Sequence, residues 1–522
     1  MQTHSLITMA AAAKLQPVHD QVDHIQQDPY AGPSSIANAI KFKKYKSIPD
    51  DAYFIMIGCG SIGQGTLPLL FRHFKITPKH VVVITADERG RDVAKEFGVS
   101  FTINPLYAHN YQDILQPYMV NGGFLINVSV DVSSLSLIEL CHQHGVLYID
   151  TCTEPWGGTY NNSSLSESAR SNYALRLEVL EQRERLRGGA TAVITHGANP
   201  GMVSHLVKQA LLNIARDTEF IVQKLPSSRQ EWGQLARDLG IKVIHIAERD
   251  TQLATIAAAK QTHEFVNTWS CDGFISEGCY QPSELGWGTH EKEFPADAAK
   301  HPEQKDGCEP PSIYLTKPGG VIRIRSWTPD YGPYHGHIVT HAEAISIADY
   351  FSLSEQGATV YRPTVLYAYH PCDYAVMSIH EMAGKGMVEQ KTKRVLRAHE
   401  IVSGMDELGV LLMGHKRGAY WYGSQLTNDE ARKVAPHQNA TGMQVIGPLV
   451  AAVIWSLEHP DRGIVEPDDM DFDRVLDVSR PYLGTIVGKY TDWTPLTTRG
   501  PMCYDPFDGS DPWQFKNFRV FG

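Results

Sequence analysis

The sequence predicts an α/β protein of two bodies: an N-terminal doubly wound parallel sheet, then a second α+β domain with a mostly antiparallel sheet. Three observations predict it. Between residues 53 and 198 strand-like apolar runs alternate with single helix-like stretches. From about 240 to 375 strand-like runs follow one another with little helix between them. Near the C-terminus a strongly apolar helix returns, of the kind that packs inside a core.

In the first body "YFIMIG" reads as a buried strand and "GTLPLLFRHF" as a helix. "HVVVIT" is a second strand, "ERGRDVAKEFG" a helix closed by Gly98, and "VSFTIN" a third strand. "NYQDILQPYM" is a helix, "GFLINVS" a fourth strand, "SLSLIELCHQHG" a helix with Gly145 at its C-cap, and "VLYID" a fifth strand. Strands joined by single helices make right-handed crossovers and hence a parallel sheet. After about residue 190, "TAVITHGANPGMV" adds a strand and a loop, and "SHLVKQALLNIA" a helix.

The second body reads as strands in "KVIHIAERD", "HEFVNTWS", "GVIRIRSWT", "HGHIVTH" and "ATVYRPTVLYAYH". The returning helix runs from about Thr441 to Glu458, ends before Pro460 and is expected to pack against the first domain. The divisions that follow are an N-terminal extension over 1–52, with the basic patch "KFKKYK", and the parallel-sheet domain over 53–198, completed by the helix near 439–460. A substrate-binding and dimerisation domain covers 199–438, and a segment over 461–522 packs on both.

Composition narrows the function. A net charge of −11 repels a phosphate backbone, so nucleic acid is not an expected partner. No apolar segment is read as approaching bilayer-spanning length, and the N-terminus lacks a cationic stretch before its apolar run. The expectation is a cytoplasmic protein with no membrane partner. Eight cysteines without a C-x-x-C pair argue against structural zinc. The pair in "HQHG" is spaced i, i+2, which turns the two rings to different helix faces, and no metal site is expected.

The stretch "GCGSIGQG" carries chemistry because of where it lies, between a strand and a helix. Gly58 allows the tight turn, Gly60 lets the backbone approach a pyrophosphate, and Gly63 lets helix and strand sit close. The helix N-terminus then offers N–H groups to the anion, so a dinucleotide is expected in a Rossmann-type domain. The acid that usually ends the second strand is absent: Thr85 stands there, with Asp87 and Glu88 just after it. Arg89 and Arg91 nearby either favour a 2′-phosphate or are solvated charges at a helix start, which leaves NAD against NADP open on these residues alone.

Several further stretches, among them "NVSVDVSSL", "YIDTCTEPW", "GANPGMVS", "HIAERDTQ", "FVNTWS", "ELGWGT", "VTHAEAISIADY" and "YWYGSQL", resemble bacterial homospermidine synthases, relatives of the saccharopine dehydrogenase group. The resemblance runs from about residue 53 to near the end. It implies condensation of two putrescine molecules to homospermidine with release of ammonia, through an imine, with NAD reduced and reoxidised in one cycle. It also implies a homodimer. Catalytic roles fall on Glu248, Trp269, His341 and Asp406, and contacts to putrescine or a related diamine on Glu154, Asn199 and Glu277. Gly58, Gly60, Ser61, Ile62, Gly63, Asp87, Asn127, Ser129 and Thr151 are expected to hold NAD.

Each residue also has a plainer reading. Glu248 could be an ion pair at a sheet edge, Asp406 a cap, Trp269 a core residue and Asn199 a turn residue. His341 either titrates near neutral pH to carry protons or completes a hydrogen bond in a strand. Glu154 has independent support, since it follows the fifth strand at the carboxyl end of the sheet, where ligands of doubly wound folds bind. Two other functions compete: a related imine reductase, which would need Arg or Lys for substrate carboxylates, and a non-catalytic dinucleotide sensor.

Overall fold

The computed structural model describes residues 42–303, 309–497 and 499–521. β1 (Phe54–Ile57), β2 (Val81–Thr85), β3 (Ser100–Ile103), β4 (Phe124–Asn127), β5 (Leu147–Asp150) and β6 (Ala192–Val193) form a parallel sheet in the order 3-2-1-4-5-6. The strand Ile464–Val465 adds beside β6 as a seventh. All six runs read as strands up to residue 198 are strands. The seventh escapes notice because two residues carry no periodicity.

Alternate side chains feed two helical layers, as pleating requires. Phe54, Met56, Val81 and Val83 pack with α1 (Ser61–His73) and the helix Ala440–Glu458. Ile55, Ile57, Val82 and Ile84 pack with the helices Ser134–His144 and Asn172–Leu180 on the other face. Asn439 caps the helix Ala440–Glu458, its side-chain oxygen accepting from the Gly442 N–H at 2.7 Å. One expectation is corrected here: by length and composition this helix could span a bilayer, but it is buried almost throughout inside the protein. Within the N-terminal extension, Phe42 stacks on Tyr482 with ring centroids 5.5 Å apart, and residues 1–41 lie outside the described residues.

The second body holds an eleven-stranded sheet, mostly antiparallel. Its central strand β7 (Val243–Asp250) runs parallel to Thr364–His370 and antiparallel to Met405–His415. The hairpin from Met405–His415 to Gly418–Thr427 and the strand Thr485–Thr491 extend the sheet to one side. Three details depart from the sequence reading. Glu264–Asn267 leaves the main sheet and pairs with Thr392–Val395. The run "ATVYRPTVLYAYH" breaks at Pro363, which has no N–H to give the ladder. The helix Ala342–Tyr350 lies among the strands, where little helix was expected; it is apolar enough to resemble a strand in sequence.

Candidate active site

The glycine loop turns directly from β1 into α1. Gly58 has φ of +89°, and a Cβ there would meet the Val128 carbonyl oxygen at 2.9 Å. A Cβ on Gly63 would meet the Gly58 carbonyl oxygen at 2.8 Å, and one on Gly65 would meet Ile446 of the returning helix at 2.2 Å. Gly60 differs, because a Cβ there would meet nothing within 4 Å. That open space lies at the N-terminus of α1, where no side chain caps the first turn, so the residues present fit a pyrophosphate. The crevice sits where the strand order reverses between β1 and β4, the usual ligand position in such sheets.

A cavity of about 130 Å³ continues from this crevice to the second body. Ile62, Ser129, Thr151 and Glu154 line it from the first domain, Asn199 from the loop after β6, and Glu248, Trp269, Glu277, His341 and Tyr367 from the second. β7 explains the placement of Glu248. Ile244, Ile246, Glu248 and Asp250 share one face, whereas Ala247 and Arg249 point to the other, so Glu248 cannot pair with its neighbour Arg249. The strand is central, which removes the sheet-edge reading.

Glu248 Oε2 accepts from the Tyr367 hydroxyl at 2.7 Å and from Asn199 Nδ2 at 3.1 Å. Burial pushes its carboxyl up to about 7, against those hydrogen bonds and with Asp250 assisting. Burial also raises Glu154 well above the usual carboxylate range, although Oε2 accepts the Asp131 N–H at 3.2 Å. His341 is the opposite case. Burial alone would lower it, but Glu343 and Glu277 outweigh that and hold the imidazole at about 10. It meets Glu277 at 2.9 Å and Glu343 at 3.3 Å, follows the strand Gly332–Val339 and stands at the start of the helix Ala342–Tyr350. The two carboxylates thus favour the imidazolium form, and the residue lies between a strand and a helix and not within a strand.

Asp406 lies behind the cavity wall and is no cap. It is the second residue of the strand Met405–His415, in register with Asp250, and fully buried. Thr441, which lines the cavity, donates to Asp406 Oδ2 at 2.5 Å, while Oδ1 has no hydrogen-bond partner among the described residues. Burial, Glu248 and Asp250 raise Asp406 well above its ordinary value. Trp269 is half-buried and donates from Nε1 to the Tyr369 hydroxyl at 3.0 Å, which fixes its ring. Replacement by leucine is expected to leave the melting temperature within a few degrees while costing most of the activity, compared by calorimetry and turnover; unfolding of the variant would mark a core residue instead.

On the cofactor side, Asn127 is buried behind Ser129 and accepts its hydroxyl at 2.6 Å, so it supports the groove without facing it. Asp87 sits in the loop after β2, with Arg89 Nε on one oxygen and the Arg89 N–H on the other, both at 2.8 Å. Arg91 pairs with Glu88. Neither arginine is left without a carboxylate for a 2′-phosphate. Tyr367, Tyr369, Thr441 and Asp250 were not among the residues read from sequence. The alternation in "VLYAYH" puts both tyrosines on one face and was the available signal for that pair.

Comparison with known proteins finds relatives over most of the chain. The saccharopine dehydrogenase NADP binding domain matches residues 54–193, and the saccharopine dehydrogenase C-terminal domain matches residues 197–491. A homospermidine synthase of Blastochloris viridis is 52% identical over 474 residues, covering 90% of this chain and 98% of that protein. One from Mesorhizobium japonicum is 50% identical over 472 residues, covering 89% and 96%. The homospermidine synthase of Legionella pneumophila, solved in complex with NAD, superposes with a TM-score of 0.84 at 45% identity, over 91% of this chain and 99% of that one.

Proposed function

The chain belongs to the homospermidine synthase family of the saccharopine dehydrogenase group, and on that premise we propose that it condenses two putrescine molecules into homospermidine with release of ammonia. The observation that carries the reading is the cavity lining. Among the described residues it contains three glutamates, a tryptophan and a tyrosine, with no arginine or lysine. The cationic group in the lining, His341, is already shared between Glu277 and Glu343, so Glu154 and Glu248 are left to favour an ammonium, and an aromatic face adds cation–π attraction of roughly 0.5–2 kcal/mol.

NAD held at Gly58, Gly60, Ser61, Ile62 and Gly63 would supply the oxidation of an amine carbon and the later reduction of the imine. Glu248, oriented by Tyr367 and Asn199, takes a proton from the substrate ammonium so that the amine can be oxidised. Glu154 and Glu277 hold the distal charge, His341 balances Glu277 and Glu343, and Trp269 keeps water from the imine. The reading includes a cytoplasmic location, in keeping with seven described cysteines all unpaired. It also includes a homodimer, for which Leu253 and Val402 on one short β-ribbon and Ile256 in the turn after it expose aliphatic side chains; light scattering counts the subunits.

The direct test is incubation with putrescine and trace NAD. Homospermidine and ammonia far in excess of the NAD present are expected, whereas NADH change stoichiometric with product would make the protein an imine reductase. The pH profile tests the proton assignment. Activity should rise as pH passes through about 7, where Glu248 ionises in the folded protein. His341→Gln should lower the rate and move that limb to higher pH without removing it, because the charged imidazolium lowers Glu248. A limb that vanishes with His341 would transfer the assignment to the imidazole.

A further inference from the structure

We propose that Arg89 is a positioning residue that ties the cofactor loop after β2 to the short helix roofing the substrate cavity, and that this tie retains the dinucleotide while the amine is oxidised. The inference rests on the function proposed above. The roof helix is Cys271–Ile275, directly after Trp269; Ser270 and Gly273 line the cavity together with Ile62 and Ser129 of the first domain. Asp272 lies in its first turn. Arg89 Nε and Nη2 engage Asp87 at 2.8 and 2.7 Å, while Nη1 reaches Asp272 at 3.7 Å. One guanidinium therefore touches both domains.

Neither end of the tie is loose. Gly90, at φ of +83°, is pressed so close to the glycine loop that a Cβ there would meet Cys59 Sγ at 2.4 Å. The loop bearing Arg89 thus moves with the pyrophosphate cradle. At the other end Lys393 Nζ donates to Asp272 Oδ1 at 2.8 Å and meets Glu389 at 2.7 Å, from the strand Thr392–Val395 that pairs with Glu264–Asn267. Asp272 is held between a cation of its own domain and one of the other. The bridge joins the loop after β2 to the helix whose Gly273 lines the cavity.

The closed redox cycle gives the tie its purpose. Oxidation of one amine carbon passes two electrons and one proton to NAD, releases a second proton and leaves an imine. If NADH departs then, water attacks the imine carbon and the C–N bond breaks. The products are an aminoaldehyde and ammonia, and the reducing equivalents are lost. Retention of NADH until the second amine has displaced ammonia keeps the electron balance at zero. An exposed ion pair of this kind changes a rate by up to about fivefold, since such pairs are individually weak.

The test uses purified holoenzyme and two readouts: release of bound NAD into NAD-free buffer without amine, and free NADH plus aminoaldehyde per homospermidine during turnover. Arg89→Gln and Asp272→Asn should each speed release about three- to fivefold and raise the by-product ratio. Their combination should add nothing further, and Arg89→Lys should restore part of the retention. Added salt should speed release from the wild type more than from Arg89→Gln. Unchanged release in both variants, or an effect of Arg89→Gln that Asp272→Asn does not share, would overturn the tie. Release without amine is independent of product identity, so a wild type that makes no homospermidine sinks the proposed function and leaves the tie to be judged on release alone.

Discussion

Glu248→Gln is expected to abolish synthesis while making the protein more stable above neutral pH. The carboxylate is fully buried, and the cationic group near it in the cavity, His341, is already shared with Glu277 and Glu343 and only partly offsets the burial. Losing a buried partner of an ammonium costs roughly 2–5 kcal/mol, so activity should fall by at least about thirtyfold. The stability effect has the opposite sign. With a folded-state value of about 7 and an ordinary value near 4.5, the native state binds the proton more tightly than the unfolded chain. Stability from this group is therefore full below about 4.5 and lost as pH rises towards 7. The amide has no such loss, and at pH 8 the variant should gain roughly 1–3 kcal/mol. Thermal unfolding of both proteins from pH 5 to 8 checks this; parallel curves would show that Glu248 is not held up by burial.

Gly60→Val should remove cofactor binding with little change in folding. The position has φ of −69°, which any residue adopts, and an added Cβ meets no protein atom, so the fold has no reason to object. The branched side chain would occupy the space where the backbone approaches the pyrophosphate, and an affinity loss of at least about a hundredfold is expected. Gly58→Ala is the contrasting control. Its positive φ and the Val128 carbonyl at 2.9 Å make it a stability mutant first, by roughly 1–3 kcal/mol. Calorimetric titration with NAD alongside thermal unfolding separates the two. Undiminished NAD binding by Gly60→Val would move the pyrophosphate elsewhere.

The first domain was legible because its information is local. β1, the glycines and α1 are contiguous, and strands of two to five residues alternate with helices in a rhythm that a parallel sheet accommodates. The substrate site was less legible. Glu154, Glu248, Glu277 and His341 come from four separate stretches, and family resemblance, not spacing, named them. Asp406 and Thr441 show the limit from the other side. They touch at 2.5 Å, yet one lies early in a β-strand and the other at the start of a helix, and neither stretch refers to its partner.

By itself the sequence determined the doubly wound first domain and the cradle. These depend on periodicity, turn chemistry and residue type, which travel with neighbouring positions along the chain. Only the tertiary structure decided protonation and partnership. His341 is a cation because two glutamates converge on it, Glu248 titrates near neutrality because a central strand buries it away from Arg249, and Arg89 meets Asp272 because two domains close over one crevice. Burial and charge proximity are properties of space, and they arise between residues that the sequence keeps far apart.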